Sequence, residues 1–214
     1  MNIAIIGASG RLGGAIAREA LARGHEVMAI GRNPAAPAAI RGARAVPADL
    51  DDPDSIAGAV AGSDVIVSSV TDRTTADRSR IPATAALLLE LAPRAGVRRI
   101  AFVGGGGSLY VAPGLRAVDA PGFPKRYRAE ALAQAEALRI LEGAGDDVEW
   151  TYLSPPPQYL LPGEKTGRYV VRAGDEAVVD ADGDSAITDG DFAAVLVDEL
   201  EQNRFPRRRF TAGS

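Results

Sequence analysis

The 214-residue chain contains no cysteine and a single histidine, His25. The first absence excludes a disulfide framework, a thiolate nucleophile and any zinc site built on sulfur; the second excludes a multi-histidine metal cage. Aromatic residues are few, at 5%, and with 24 glycines and 14 prolines this speaks for an α/β protein of many tight turns rather than an aromatic-rich β-sandwich. No apolar run approaches the roughly 18 residues of a bilayer-spanning helix, so no membrane partner is expected. The start, a strand-like run from Asn2 to Ile6, has no basic region or cleavage site, and the expected location is cytoplasmic. Positive charge is in deficit, with 24 Lys and Arg against 28 Asp and Glu for a net charge of -4. Phosphate backbones need a basic face, so no nucleic-acid partner is expected. The cluster Arg207, Arg208, Arg209 near the tail is the one basic exception.

What is present is an alternation. Ile3, Ala4, Ile5 and Ile6 form a continuous apolar run ending at Gly7, as expected of a strand buried on both faces of a parallel sheet. Leu12, Ile16 and Ala20 then mark one helical stripe over residues 12–23, stopped by Gly24. Further strands are read at residues 26–30, 43–47, 64–69 and 99–103, with a helix at 83–92 carrying Leu87, Leu88, Leu89 and Leu91. Parallel strands need helical crossovers, so the pattern is one of repeated βαβ units. An irregular glycine-rich stretch follows at 104–124, then a helix with Leu132, Leu138 and Leu141 and a strand at 149–153 containing Trp150, read as a core residue. Residues 168–172 and 176–179 are expected to pair across Gly174, and a last helix spans 189–202 with Thr188 as its N-cap and Asp191 three residues on. The chain is long enough to remove about 70% of its unfolded surface from water. The expected architecture is one domain over residues 1–214: an α/β doubly wound parallel sheet of Rossmann type, in three layers, with a small C-terminal elaboration.

The sharpest motif is Gly7-Ala8-Ser9-Gly10-Arg11-Leu12-Gly13, a G-x-x-G-x-x-G loop between the first strand and the first helix. The first glycine permits a sharp turn, the second leaves room for a pyrophosphate against the backbone, and the third lets helix and strand pack closely. The phosphates then rest on free N–H groups at the helix N-terminus. Ser9, Arg11 and Leu12 belong to the same loop. At the end of the second strand stands Gly31-Arg32-Asn33, with no Asp or Glu from Val27 to Ile40 to bond a ribose 2′-hydroxyl. Arg32 instead suits the 2′-phosphate of NADP, with Arg11 adding to the field, the bland alternative being a solvated loop arginine. Asp49 and Leu50 are placed either to meet the adenine ring or, with Asp51, Asp52 and Asp54, to form an exposed acidic turn opening a helix.

The glycine loop, Ala48-Asp49-Leu50-Asp51-Asp52, Val67-Ser68-Ser69, Phe102-Val103-Gly104-Gly105-Gly106-Gly107-Ser108-Leu109, Trp150-Thr151-Tyr152-Leu153-Ser154-Pro155, Gly163-Glu164-Lys165-Thr166-Gly167-Arg168-Tyr169, and Asp198-Glu199-Leu200-Glu201 followed by Arg209-Phe210-Thr211 together resemble the NAD(P)H-binding, atypical short-chain dehydrogenases grouped as NADH-flavin reductases. That group is similar to the flavin/biliverdin reductases and, more remotely, to the NmrA-like redox sensors. The resemblance runs over essentially the whole chain. It implies that Ser68, Ser69, Val70, Gly104 and Pro155 border the cofactor and that Ser108 stands near the nicotinamide, with Tyr127 walling the substrate side. The Tyr-x-x-x-Lys pair of typical short-chain dehydrogenases, which primes a tyrosine to protonate a carbonyl, is absent: Tyr127 is followed four residues later by Ala131, and Tyr110 by Gly114. His25 sits in a turn away from the sheet's carboxyl edge. The expectation is an NADPH-dependent oxidoreductase that passes hydride to a small-molecule acceptor, a flavin such as FMN or FAD or a similar conjugated ring. The alternative is a noncatalytic NADP-binding sensor or scaffold of the NmrA-like type; a sugar-nucleotide epimerase is disfavoured by the same missing pair. Monomer and homodimer are both left open.

Overall fold

Side-chain alternation on fully buried strands decides the architecture. In a computed structural model, which describes residues 1–33, 40–71, 76 and 78–213, the elements in chain order are β1 (Asn2–Ile6), α1 (Arg11–Ala22), β2 (Glu26–Gly31), β3 (Arg44–Pro47), α2 (Pro53–Val60), β4 (Val65–Ser68), α3 (Arg80–Arg94), β5 (Arg99–Val103), β6 (Tyr110–Ala112), β7 (Leu115–Arg116), α4 (Lys125–Glu142), β8 (Glu149–Ser154), β9 (Tyr159–Leu161), β10 (Val170–Ala173), β11 (Ala186–Thr188), α5 (Asp189–Gln202) and β12 (Arg208–Gly213). Along β1, Ala4 and Ile6 join a core with Ile56 of α2, Ile81 and Leu88 of α3, and Leu138 and Leu141 of α4. Ile3 and Ile5 enter the opposite core with Ile16 of α1 and Phe192, Val195 and Leu196 of α5. Both faces of the strand are therefore covered, which is why it reads as an unbroken apolar run. The result is three layers: α2, α3 and α4 on one face of the sheet, α1 and α5 on the other.

The eight-stranded sheet has the order β10-β12-β8-β5-β4-β1-β2-β3. Every neighbouring pair is parallel except β10 with β12. Successive strands run outward from β1 to β2 and β3 on one side and to β4, β5 and β8 on the other, so the direction of winding reverses between β1 and β4. In open α/β sheets the crevice for a ligand lies at the carboxyl ends of the strands at this reversal. Among the described residues, no helix is long and apolar enough to cross a membrane.

One expectation is corrected. Residues 168–172 and 176–179 do not form a hairpin across Gly174: β10 pairs antiparallel with β12, Val171 opposite Ala212 and Arg172 opposite Thr211, while Glu176 bridges to Tyr110. The C-terminal segment supplies two strands of the main sheet, β10 and β12, and β9 with β11 adds a separate parallel pair. The helix expected around Leu132, Leu138 and Leu141 is α4; Leu132 is 43% exposed on its outer face, while Ala133, Ala137, Leu138 and Leu141 take the inner face.

Candidate active site

The turn from β1 into α1 is built so tightly that two of its glycines are mechanically required. Gly7 has φ +87°, and a Cβ on it would lie 2.4 Å from the Ser69 carbonyl oxygen at the exit of β4. A Cβ on Gly13 would lie 2.3 Å from the Gly7 oxygen. Gly10 differs. It is the N-cap of α1, at φ −76° and ψ 168°, where any residue fits, and a Cβ there would meet only the Gly7 oxygen, at 3.2 Å. The space in front of Gly10 is otherwise open. No side chain caps the helix and no acid stands in its first turn, so the N–H groups of Arg11, Leu12 and Gly13 face that space with the positive end of the helix dipole behind them. A pyrophosphate fits this cradle by both shape and charge.

On the β2 and β3 side, Arg32 and Asn33 follow β2 on an exposed turn. Arg32 is close enough to Asp51 to help hold its carboxyl below the usual range, the main cause being the hydrogen bond from Arg80. Arg80 meets Asp51 through both guanidinium ends, each at 3.0 Å. Asp49 sits in a turn, where its carboxylate accepts the Asp51 N–H at 3.1 Å, and Asp52 caps α2 by accepting the Ser55 N–H at 3.2 Å. Leu50 packs against the α2 side of the core.

On the β4, β5 and β8 side, Ser68 is fully buried within the sheet, its Oγ without a hydrogen-bond partner among the described residues. Ser69 and Val70 form the exit, with the Ser69 N–H donating to the Ile6 carbonyl at 2.9 Å. The four-glycine run after β5 is a packing solution. A Cβ would lie 2.0 Å from the Tyr152 ring at Gly104, 2.8 Å from Gln134 Cβ at Gly105, 2.4 Å from the Pro155 oxygen at Gly106 and 2.5 Å from Ala131 Cβ at Gly107. Gly104 thus answers first to Tyr152. The Tyr152 hydroxyl donates towards Gln134 (2.9 Å to its carbonyl, 3.2 Å to Oε1) and accepts the Gly105 N–H at 3.1 Å; burial pushes its pKa up to about 12. Ser108 Oγ is likewise buried without a partner among the described residues.

Other predicted residues are distributed differently. Ser9 is exposed in the glycine loop. Arg11 donates from both terminal nitrogens to the Leu160 carbonyl at 3.3 Å and lies 3.6 Å from Asp189, which ties the glycine loop to β9 and α5. Burial raises the Asp189 pKa against the opposing pull of Arg11 and Arg18. Tyr127 is half exposed, one turn before Ala131 on α4, with the Arg126 guanidinium 4.7 Å over its ring. His25 lies at the opposite edge, before β2, with Nε2 2.9 Å from Glu201. The residues that sequence reasoning missed are Tyr152, Gln134, Arg209, Asp189 and Arg80.

Residues 7–203 match the model of a family described as NAD(P)H-binding. The chain is similar over its whole length to a proposed exported protein of Burkholderia pseudomallei, at 43% identity and a TM-score of 0.89 with all of both chains covered. It is similar to a proposed NADH-flavin reductase of Streptococcus pneumoniae TIGR4, at 32% identity and a TM-score of 0.80, covering 100% of this chain and 99% of that one. A proposed epimerase of Bacteroides thetaiotaomicron is 34% identical with a TM-score of 0.87, covering 99% of this chain and 96% of that one.

Proposed function

The chain belongs to the NAD(P)H-binding family, and from that premise we propose that it is an NADPH-dependent reductase of flavins or similar conjugated acceptors. Gly10 and the first-turn N–H groups of α1 would hold the pyrophosphate of the cofactor, and Arg32 would meet the 2′-phosphate. When bound, the reduced nicotinamide supplies a hydride. The chain's contribution is to bind, orient and exclude water.

The observation that carries the choice of acceptor is at α4. A carbonyl reductase of the short-chain type needs a lysine one turn after its tyrosine, and that position is Ala131, buried and packed against Gly107. The cation beside Tyr127 is Arg126, whose guanidinium lies 4.7 Å from the centre of its ring. A conjugated ring that draws its proton from water makes no such demand. The relative from Streptococcus pneumoniae, described as a proposed NADH-flavin reductase, supports the same reading.

Mixing the protein with NADPH and FMN and following loss of the nicotinamide absorbance tests it. Oxidation of NADPH that requires both protein and FMN is expected, with NADH used less well. Tight NADPH binding without oxidation by any flavin or quinone favours the noncatalytic sensor instead.

A further inference from the structure

The three consecutive arginines near the C-terminus look in sequence like one solvated basic patch, yet the fold gives them separate tasks. Arg208 is exposed. Arg207, at φ +53°, donates to the carbonyls of Ala144 (2.6 Å), Gly145 (2.7 Å) and Val148 (3.2 Å), fastening the connection from α4 to β8. Arg209 is only 6% exposed. Its Nε donates to Ser154 Oγ at 2.9 Å, one terminal nitrogen to the Ser108 carbonyl and to Asp175, both at 3.3 Å, and the other to the Gly105 carbonyl at 3.4 Å. Ser154 ends β8, and Gly105 and Ser108 follow β5. One guanidinium therefore joins the exits of two strands at the carboxyl edge of the sheet.

We propose that Arg209 is a positioning residue that fixes residues 105–108 as the wall of the acceptor site. The proposal rests on the reductase reading for what that wall faces. Residues 104–107 are all glycine and carry no side chain with which to hold themselves, so their placement is imposed from outside. Gly105 is gripped twice, its N–H by the Tyr152 hydroxyl and its carbonyl by Arg209. Ser108 has no side-chain partner among the described residues, so its hydroxyl is placed through its own backbone, whose carbonyl Arg209 holds. A planar fork with five fixed N–H donors can serve two carbonyls and a hydroxyl at once; a lysine ammonium cannot reproduce that geometry. A buried cation whose partners are neutral oxygens and one half-exposed carboxylate is a poor device for stability alone, which agrees with a role in fixing position.

The test uses the full chain and the variants Arg209→Lys, Arg209→Met and Ser154→Ala, the last removing one bond while keeping the guanidinium. Amide hydrogen exchange, NADPH affinity by nicotinamide fluorescence, and FMN kinetics are read together. Losing hydrogen bonds to a charged group should speed exchange at residues 105–109 by about tenfold or more, most in Arg209→Met and least in Ser154→Ala. Residues 7–14 keep their protection and NADPH affinity stays within about threefold, a change too small for a lost charged contact. The KM for FMN rises while kcat falls less. Unchanged exchange at 105–109 in folded variants overturns the proposal, as does exchange that rises uniformly across the sheet, which marks a purely structural arginine. If Arg209→Met does not fold, the lysine and Ser154→Ala variants still decide. If the intact protein reduces no flavin, the reductase reading fails, and the exchange data separately decide whether Arg209 positions the loop.

Discussion

At the scale of single residues, the three motif glycines are not equivalent, and the difference is measurable. Gly13→Ala drives a methyl to 2.3 Å from the Gly7 oxygen, backbone against backbone. It should lower stability by about 2 kcal/mol or more, visible in the Tm whether or not cofactor is present. Gly10→Ala needs only a few tenths of an ångström of adjustment against the same oxygen at 3.2 Å and keeps an allowed backbone. Its Tm without cofactor should stay nearly unchanged, while NADPH binding falls by at least about tenfold because the methyl fills the cradle. Normal NADPH binding by folded Gly10→Ala would remove this loop from the cofactor site. In the proposed reading, Arg32 would act by charge. Losing a charge-assisted contact costs about 1.5 to 3 kcal/mol, so Arg32→Ala should weaken NADPH by roughly tenfold to a hundredfold and leave NADH nearly unchanged in parallel titrations. An equal loss for both nucleotides would mean that Arg32 supports the fold of the turn and not the 2′-phosphate.

At the scale of elements, α5 shows how a helix start can anchor a distant loop. Thr188 Oγ1 accepts the Asp191 N–H at 3.1 Å, and the buried Asp191 carboxylate accepts from Thr166 N–H (2.8 Å), Thr166 Oγ1 (2.6 Å), Gly167 N–H (2.8 Å) and Thr188 Oγ1 (3.0 Å). Burial raises its pKa, but these donors outweigh burial and the net shift is downward. A carboxyl whose folded pKa lies below its unfolded value adds stability above about pH 4, and that stability is lost as pH falls through the lower folded value. Asp191→Asn should therefore cost about 2 to 3 kcal/mol in neutral urea denaturation, and the gap to the unaltered protein should close in acid. A gap independent of pH would show that ionisation of Asp191 is not the source. This helix was legible in the sequence because cap, acid and apolar spacing are all local; β1 and β5 were legible because burial on both faces makes them continuous apolar runs. β12 was hidden by Arg208 and Arg209, which look solvated until their partners are known, and the false hairpin across Gly174 followed from not seeing that strand. The site divides in the same way. The glycine loop is a contiguous motif, whereas the bonds from Tyr152 and Arg209 to Gly105 span 47 and 104 residues, and no local pattern announces contacts at that distance.

At the scale of the whole molecule, the sheet separates two ends with different work. The amino-terminal edge is fastened by ions: Arg23 of the α1 C-cap meets Glu19, Asp198 and Glu201, and Glu201 also meets His25. The carboxyl edge is fastened by the Arg209 guanidinium and by a buried neutral group, Tyr152, whose ring stacks on Phe102 with centroids 5.8 Å apart and whose hydroxyl joins α4 to the turn after β5. Each end should fail under a different condition, and the Tyr152 end fails in base. Burial raises the Tyr152 pKa from 10.0 to about 12. In the unfolded chain the phenol ionises near the lower value, so its contribution is complete below pH 10 and is lost as pH rises through the folded value. Two units at about 1.4 kcal/mol each amount to about 3 kcal/mol removed across that window. Tyr152→Phe keeps the stacked ring but leaves the Gly105 N–H unpartnered, so it should be less stable at neutral pH by about 1 to 3 kcal/mol. Lacking the ionisable group, it should then lose less stability on going into base. Urea midpoints of the two proteins, measured in steps from neutral pH to about pH 12, should therefore converge above pH 10. Parallel curves would show that the alkaline limit is set elsewhere, and that the hydroxyl bridging Gln134 and Gly105 is not what base dismantles first.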